Sequence, residues 1–380
     1  MTAITIITAG DLGPTPSNYS QFSSGNINEL VDKNLLEQLL SADFRLFNLE
    51  VPLTDSDAPI NKDGPCLKAP ESSVNGIKKL NPSVVTLANN HVYDHGEQGL
   101  FNTMRQLSDN SIGYVGAGKN LAEASRPFIL EQHGLRIGIY ACAEHEFSIA
   151  GENHPGANPI DLLESFDHIE KLKTSCDYVI VLHHGGKEYY RYPSPDLQRV
   201  CRKMISKGAD LVICQHSHCV GSYENYTGGV IVYGQGNFLF DRHDDEYWKT
   251  GLLVKASYGN KMDVEFIPVM KNGNGVTLPD PGERDKILSE FMTRSEQMNI
   301  PGFVEAEYER YCLENGQYYL ATLAGFGKTL RRTDKVLKRP FTRLIYSRKK
   351  LEIIRNHFEC ETHRELVMKY IQALTRKNKK

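Results

Sequence analysis

Long apolar runs are missing from this 380-residue sequence, and no stretch approaches the length needed to cross a bilayer. The first residues run straight into a strand-like segment, without the basic and apolar regions of a secretory leader, so a cytoplasmic chain is expected. Paired cysteines are also missing. The eight cysteines are scattered, with no Cys-x-x-Cys, and several, such as Cys142 and Cys214, lie in apolar runs where a thiol packs as a small hydrophobe. A disulfide framework is therefore not expected, which fits a reducing compartment. The charge has no strong sign: 44 Lys and Arg against 47 Asp and Glu leave a net of −3, with no overall pull toward nucleic acid or an anionic membrane. The glycine-rich segment 116–119 lacks the spacing of a phosphate-binding loop, and Ser217 has no Gly-x-Ser-x-Gly elbow around it. There is no internal repeat and no low-complexity segment.

What is present is a recurring junction. Residues 84–88, Val-Val-Thr-Leu-Ala, read as a buried strand, and Asn89, Asn90 and His91 follow at once, with Asp94 three residues on. Asp11 follows the strand 4–9, and Glu50 follows 44–49. His183 and His184 follow 178–182, and His216 with His218 follow 211–214. Ligands of open α/β sheets bind outside the carboxyl ends of strands. Any one histidine is more often a hydrogen-bonded structural residue than a ligand; the inference rests on five strand ends that each deliver a donor. Histidines 95, 133, 145, 154, 168, 243, 357 and 363 lack that context and are set aside.

Carboxylate, amide carbonyl and imidazole together suit Mn²⁺, Zn²⁺ or Fe²⁺ better than Ca²⁺, which prefers oxygen alone. Two such ions about 3.5–4 Å apart would clamp a hydrolytic nucleophile, with one carboxylate able to bridge them. His91 is the candidate to protonate a leaving group or stabilise transferring charge, and Asp94 the residue that holds its ring tautomer.

Between these junctions the apolar spacing predicts helices over 26–40, 71–80, 97–107, 161–172 and 194–207. Hairpins are predicted over 128–143 and over 252–269, the second turning at Gly259-Asn260, with a strand over 229–240. The polar, Pro/Gly-rich stretch 55–68 reads as a long loop over the site. Near Asp280 the composition turns helix-forming, with no further strand–donor junction. The expected domains are a catalytic unit over 1–275 and a helical, basic extension over 276–380. Residues 328–355 hold eleven Lys and Arg against Asp334 and Glu352. That segment is either a solvated helical face or a dock for a membrane surface or polymer-synthesis complex.

The stretches Gly10-Asp11, Asn48-Leu49-Glu50 and Leu87–His91 with Asp94 and Gly96 recur in a known order. They continue with Gly116-Ala117-Gly118, His184–Tyr189, Pro193-Ser194-Pro195, Gly208-Ala209-Asp210, His216-Ser217-His218 and Gly236-Asn237-Phe238. In these stretches, over about the first 270 residues, the sequence resembles the CapA family of capsule and poly-γ-glutamate synthesis proteins, within the calcineurin-like metallophosphoesterase superfamily. The resemblance implies an α/β fold, a four-layer α/β/β/α sandwich of two mixed sheets, with a C-terminal helical extension beyond its reach. It implies two divalent ions on Asp11, Glu50, Asn90, His184, His216 and His218, with Glu50 bridging and His91 catalytic beside Asp94. His183 competes with His184 for its place. Asn89, His183, Glu188 and Asn237 are the candidates for substrate contacts. Gly13, Gln215 and Ser217 depart from the wider pattern. The expected activity is metal-dependent phosphoester hydrolysis on a phosphorylated or polyanionic substrate, in capsule, surface-polysaccharide or poly-γ-glutamate metabolism. The alternatives are amide hydrolysis or transfer at the same site, and a non-catalytic scaffold of a polymer-synthesis complex.

Overall fold

The computed structural model describes residues 3–377; the end of the tail, Asn378, Lys379 and Lys380, lies outside the described residues. Four parallel strands begin the chain: β1 (Ile4–Leu12), β2 (Phe44–Leu49), β3 (Val84–Thr86) and β4 (Gly113–Val115). A short strand β5 (Ala117–Gly118) precedes the hairpin β6 (Phe128–Gln132) and β7 (Leu135–Ala143), and β8 (Gly156–Ala157) returns to pair with β5. Then come β9 (Tyr178–His184), β10 (Leu211–Gln215), β11 (Tyr223–Tyr226), β12 (Gly229–Val232), β13 (Thr250–Tyr258), β14 (Met262–Asn272) and β15 (Gly275–Thr277). They form two large mixed sheets, ordered β15-β14-β13-β1-β2-β3-β4 and β11-β12-β10-β9-β7-β6.

Side-chain alternation tells how the layers stack. Along the second sheet Ile137, Ile139, Ile180, Leu182, Leu211 and Ile213 point into the core shared with the first sheet. Their neighbours Tyr140, Cys142, Val179, Val181, Val212 and Cys214 point the other way. That outer face is covered by α6 (Glu164–Lys173) and α7 (Pro195–Ser206), through Ile169, Leu172, Cys201 and Met204. The first sheet is covered by α2 (Lys33–Leu40), α3 (Val74–Lys79) and α4 (Gly96–Asp109), through Leu35, Leu39, Ile77, Leu100 and Leu107. The result is helices, sheet, sheet, helices, as expected. Strands covered on both faces read as continuous apolar runs, which is why β9 and β10 stood out in the sequence. All eight cysteines are free thiols, five of them buried.

The predicted helix over 26–40 is split. A short turn, Ile27–Glu29, precedes Val31, which bridges to Val276, and α2 starts only at Lys33. The side chain of Asp32 caps it by accepting from the amides of Asn34 and Leu35, a contact worth about 1 kcal/mol. The strand predicted over 229–240 stops at Val232, because Gly234 (φ +149) and Gly236 (φ +68) leave the ladder.

The chain divides into two compact units, Met1–Glu305 and Ala306–Lys380. The division falls about thirty residues later than the composition change had placed it, and the reason is α8 (Pro281–Gln297). Its Phe291 is fully buried with Val220 and Leu252, stacked on Tyr223, and Ser295 accepts the Tyr223 amide at 2.9 Å. The first helix beyond, α9 (Phe303–Leu323), is followed by α10 (Lys328–Val336), α11 (Pro340–Ile345), α12 (Arg348–Glu359) and α13 (Glu361–Lys377). Among the described residues no helix is long and apolar enough to cross a membrane.

Candidate metal centre

The carboxyl ends of β1, β2, β3, β9 and β10 meet in one place, so both sheets contribute to a single site. The close approach depends on a strand irregularity: the β1–β2 register shifts between Thr8 and Asp11. It depends also on Gly10, where any Cβ would sit 2.0 Å from the Gly236 carbonyl oxygen. Asp11 then bridges to Asn237, and Gln235, with its amide donating to the carbonyls of Thr8 and Leu252, ties the segment after β12 to the first sheet. His216 (φ +92) and His218 (φ +52) both adopt left-handed backbone, a strained state costing on the order of 1–3 kcal/mol each, tolerated where function over-determines it.

Two overlapping groups of buried donors result, Glu50 with His184 and His216, and Asp11 with Glu50 and His218; in each the donor atoms lie within 4.8 Å of one another. Glu50 belongs to both. Its carboxylate is fully buried and neither oxygen accepts a hydrogen bond, and the Asp11 Oδ2 atom is likewise without one, although it lies 3.2 Å from His218 Nδ1. Burying a carboxylate with no partner is expensive, so this donor set fits a cation. In the protein alone, burial and then the neighbouring Asp11 carboxylate push the Glu50 carboxyl well above its ordinary range. Burial pulls the other way on imidazoles: it lowers His184 strongly, with His216 adding to the effect, and it lowers His216, so both are neutral and able to donate lone pairs. Asn90 Oδ1 lies 3.1 Å from His184 Nε2, which in turn lies 3.1 Å from His216 Nδ1.

Beside this group His91 Nδ1 sits 2.6 Å from Asp94 Oδ2. Asp94 also accepts the Leu67 amide at 2.6 Å and pairs with the buried ammonium of Lys62, which itself lies 3.3 Å from His91 Nδ1. A carboxylate in that position assigns the proton to Nδ1 of the ring and leaves Nε2 for a reacting group. Burial, the leading cause, lowers the His91 pKa; Asp94 opposes it, while Lys62 and Arg242 reinforce it.

The structure thus brings together Asp11, Glu50, Asn90, His184, His216, His218, His91 and Asp94. Asn237 joins them, its Oδ1 3.0 Å from His218 Nδ1, and Glu188 acts there through the field it exerts on Glu50 and His216. Two expected substrate contacts sit elsewhere. His183 faces the opposite side of β9, 3.5 Å from Cys142 Sγ, lining a separate surface cavity with Glu144 and Leu197. The Asn89 amide is spent on the chain: its oxygen accepts the amides of His91 and Val92, and its nitrogen donates to Asn48 and the Leu49 carbonyl.

Sequence reasoning did not assign Lys62, Asn48 or Glu146. Asn48 donates to Asp11 Oδ1 at 2.8 Å and lies 3.2 Å from His184 Nδ1, orienting two candidate ligands at once. Glu146 accepts from the Asn90 amide at 3.2 Å. Trp248, which stacks on His218 with ring centroids 4.6 Å apart, also went unassigned. Asn48 alone left a signal, as the residue two before a strand-end carboxylate.

Comparison with known proteins agrees with the resemblance. The family described as bacterial capsule synthesis protein PGA_cap matches residues 5–242. The capsule biosynthesis protein CapA of Bacillus anthracis is 32% identical over 182 residues, covering 46% of this chain and 44% of that protein. The PGA biosynthesis protein CapA of Bacillus subtilis is 30% identical over 211 residues, 53% of this chain and 54% of that one. The chain spans about half the length of these curated relatives. Among solved structures, a phosphatase from Mycoplasma pneumoniae aligns at 13% identity and TM-score 0.44, over 76% of this chain and 97% of that one. The NAD nucleotidase of Haemophilus influenzae aligns at 12% identity and TM-score 0.43, over 76% of this chain and 56% of its own. The chain belongs to the PGA_cap family of bacterial capsule synthesis proteins.

Proposed function

From that membership we propose that this PGA_cap protein is a metal-dependent hydrolase of the phosphoester type, acting in capsule or poly-γ-glutamate metabolism. The observation that carries the reading is Glu50, buried with both oxygens unpaired at the junction of two donor groups. Asp11, Glu50, Asn90, His184, His216 and His218 would hold two divalent ions, with Mn²⁺, Zn²⁺ and Fe²⁺ suited to the mixed oxygen and nitrogen donors. Such ions supply Lewis acidity and an acidified water at neutral pH.

The chain's own residues do the rest. Asn48 holds Asp11 and His184 in orientation from behind. Asp94, anchored by Lys62, holds the His91 ring through Nδ1, so that Nε2 faces the group being transferred and, when the ring carries its second proton, gives that proton to the departing oxygen. Burial excludes bulk water and strengthens each of these interactions.

The test is elemental analysis of the purified protein together with hydrolysis of an aryl phosphate in the presence of Mn²⁺ or Zn²⁺. Bound metal with phosphate release that is lost in Asp11→Asn supports the reading. Bound metal with no phosphate release, but with glutamate release from a γ-linked glutamyl peptide, selects amide chemistry. Absence of both metal and turnover leaves a scaffold.

A further inference from the structure

Most of the second unit, residues 328–380, differs from the rest of the chain in two independent ways. Charge is the first: residues 328–380 hold 17 Lys and Arg against 5 Asp and Glu, whereas residues 1–327 hold 27 against 42. A net of −3 therefore hides a segment of +12 joined to one of −15. Exposure of apolar side chains is the second. Beyond residue 305 only Ala321, Asp334 and Thr342 are buried among the described residues, and two of these are polar. The turn between α10 and α11 is held by Asp334, which accepts the Phe341 amide at 2.8 Å, and not by an apolar core.

The uncovered apolar residues are ordered. On α13 Leu366, Val367, Tyr370, Ile371 and Leu374 recur at the i, i+1, i+4, i+5, i+8 spacing of one helix face. All five are exposed, from 40% for Val367 to 69% for Leu366. On α12 Leu351, Ile354 and Phe358 form a similar stripe beside Arg348, Lys349, Lys350 and Arg355, and α12 has no buried residue. Val336 and Leu344 are more than 80% exposed. Contiguous exposed apolar surface marks an interaction site.

We propose that the helices α10 to α13 dock on an anionic lipid surface, with the apolar stripes at headgroup depth and the lysines and arginines against lipid phosphates. The combination selects this occupant. A soluble polyanion would meet the cations and leave the stripes in water. A second copy pairing stripe on stripe would bring +12 against +12. An anionic leaflet satisfies both, since amphipathic helices rich in Lys and Arg lie in the interface and gain from apolar burial and surface potential together.

The test is co-sedimentation of the full chain with phosphatidylcholine vesicles, with and without phosphatidylglycerol, at low and high salt. Two variants accompany it: Ile371→Glu/Leu374→Glu in the stripe and Lys349→Glu/Lys350→Glu in the basic face. Circular dichroism checks that helix content is unchanged. The expected result is binding only to the anionic vesicles, weakened by salt. At about fivefold per cation near the surface, the charge variant should lose more than tenfold in partitioning, and the stripe variant should fall comparably. Equal binding to both vesicle types, or indifference to either variant, would overturn the proposal. So would self-association that the stripe variant abolishes without any vesicle binding, or binding to soluble polyglutamate that the stripe variant leaves intact.

Discussion

The candidate metal centre and the C-terminal helices treat charge in opposite ways. At the centre, both Glu50 oxygens and Asp11 Oδ2 are buried without a hydrogen bond, and the neutral imidazoles of His184 and His216 face them. Along α10 to α13 the charges are mostly exposed and mostly positive, and many apolar side chains are exposed with them. Burying an unpaired polar group costs several kcal/mol, so the first pattern persists only where a bound partner repays it. Exposing an apolar stripe costs little per residue, but it draws partners. The proposed metal site and the proposed lipid dock rest on this difference.

The comparison breaks most decisively at the ligands. His184→Ala or His216→Ala is expected to lower metal affinity by more than about 100-fold, beyond what outer-shell changes cost, with activity falling in parallel. Elemental analysis beside aryl phosphate turnover reads both. His91→Ala should keep its metal and slow turnover by about 10²–10⁴-fold; unchanged turnover would remove His91 from the mechanism. Lys62→Met should also retain metal and lose roughly tenfold, less than His91 because it acts through Asp94. Since the Lys62 charge lowers the His91 pKa, the basic limb of the rate profile, where a protonated His91 is lost, should move to higher pH in this variant, a shift that a merely structural lysine would not produce.

The two units can be separated in the same spirit. A chain ending after Glu305 is expected to fold and bind metal. One ending at residue 280 loses α8 and the burial of Phe291, and the full-length Phe291→Ala variant should cost about 3–5 kcal/mol in denaturant unfolding. The smallest effect concerns acid. His91, His183, His184 and His216 all have lowered pKa values in the fold, so the unfolded chain takes up protons first as pH drops through the ordinary histidine range. Stability of the metal-free protein should therefore fall from pH 7 toward 5. Glu50, raised, acts in the opposite sense but as one group against four. Thermal midpoints across that range check the sign.

Much of this was legible before any coordinates. β2 was bounded correctly because its apolar run ends at a carboxylate and a proline, both strong local signals. α7 was bounded to within a residue by Ser194, whose side chain accepts the Leu197 amide, and Pro195. The helix over 26–40 was misread because Val31 leaves the helical pattern for Val276, a partner distant in sequence. Lys62 was unreadable for a related reason: a loop has no periodicity, and nothing local says that its ammonium meets Asp94.

Residue chemistry and short apolar runs alone determined the strands, the donors at their ends, and the family pattern those donors make. The resemblance favoured His184 over His183, but the tertiary structure alone shows which of the two faces the donor groups. Adjacent residues on a strand point to opposite faces, and β9 is buried on both, so no polarity pattern marks the side that faces the site. Only the packing of the second sheet against the first turns His184 toward Glu50 and leaves His183 against Cys142.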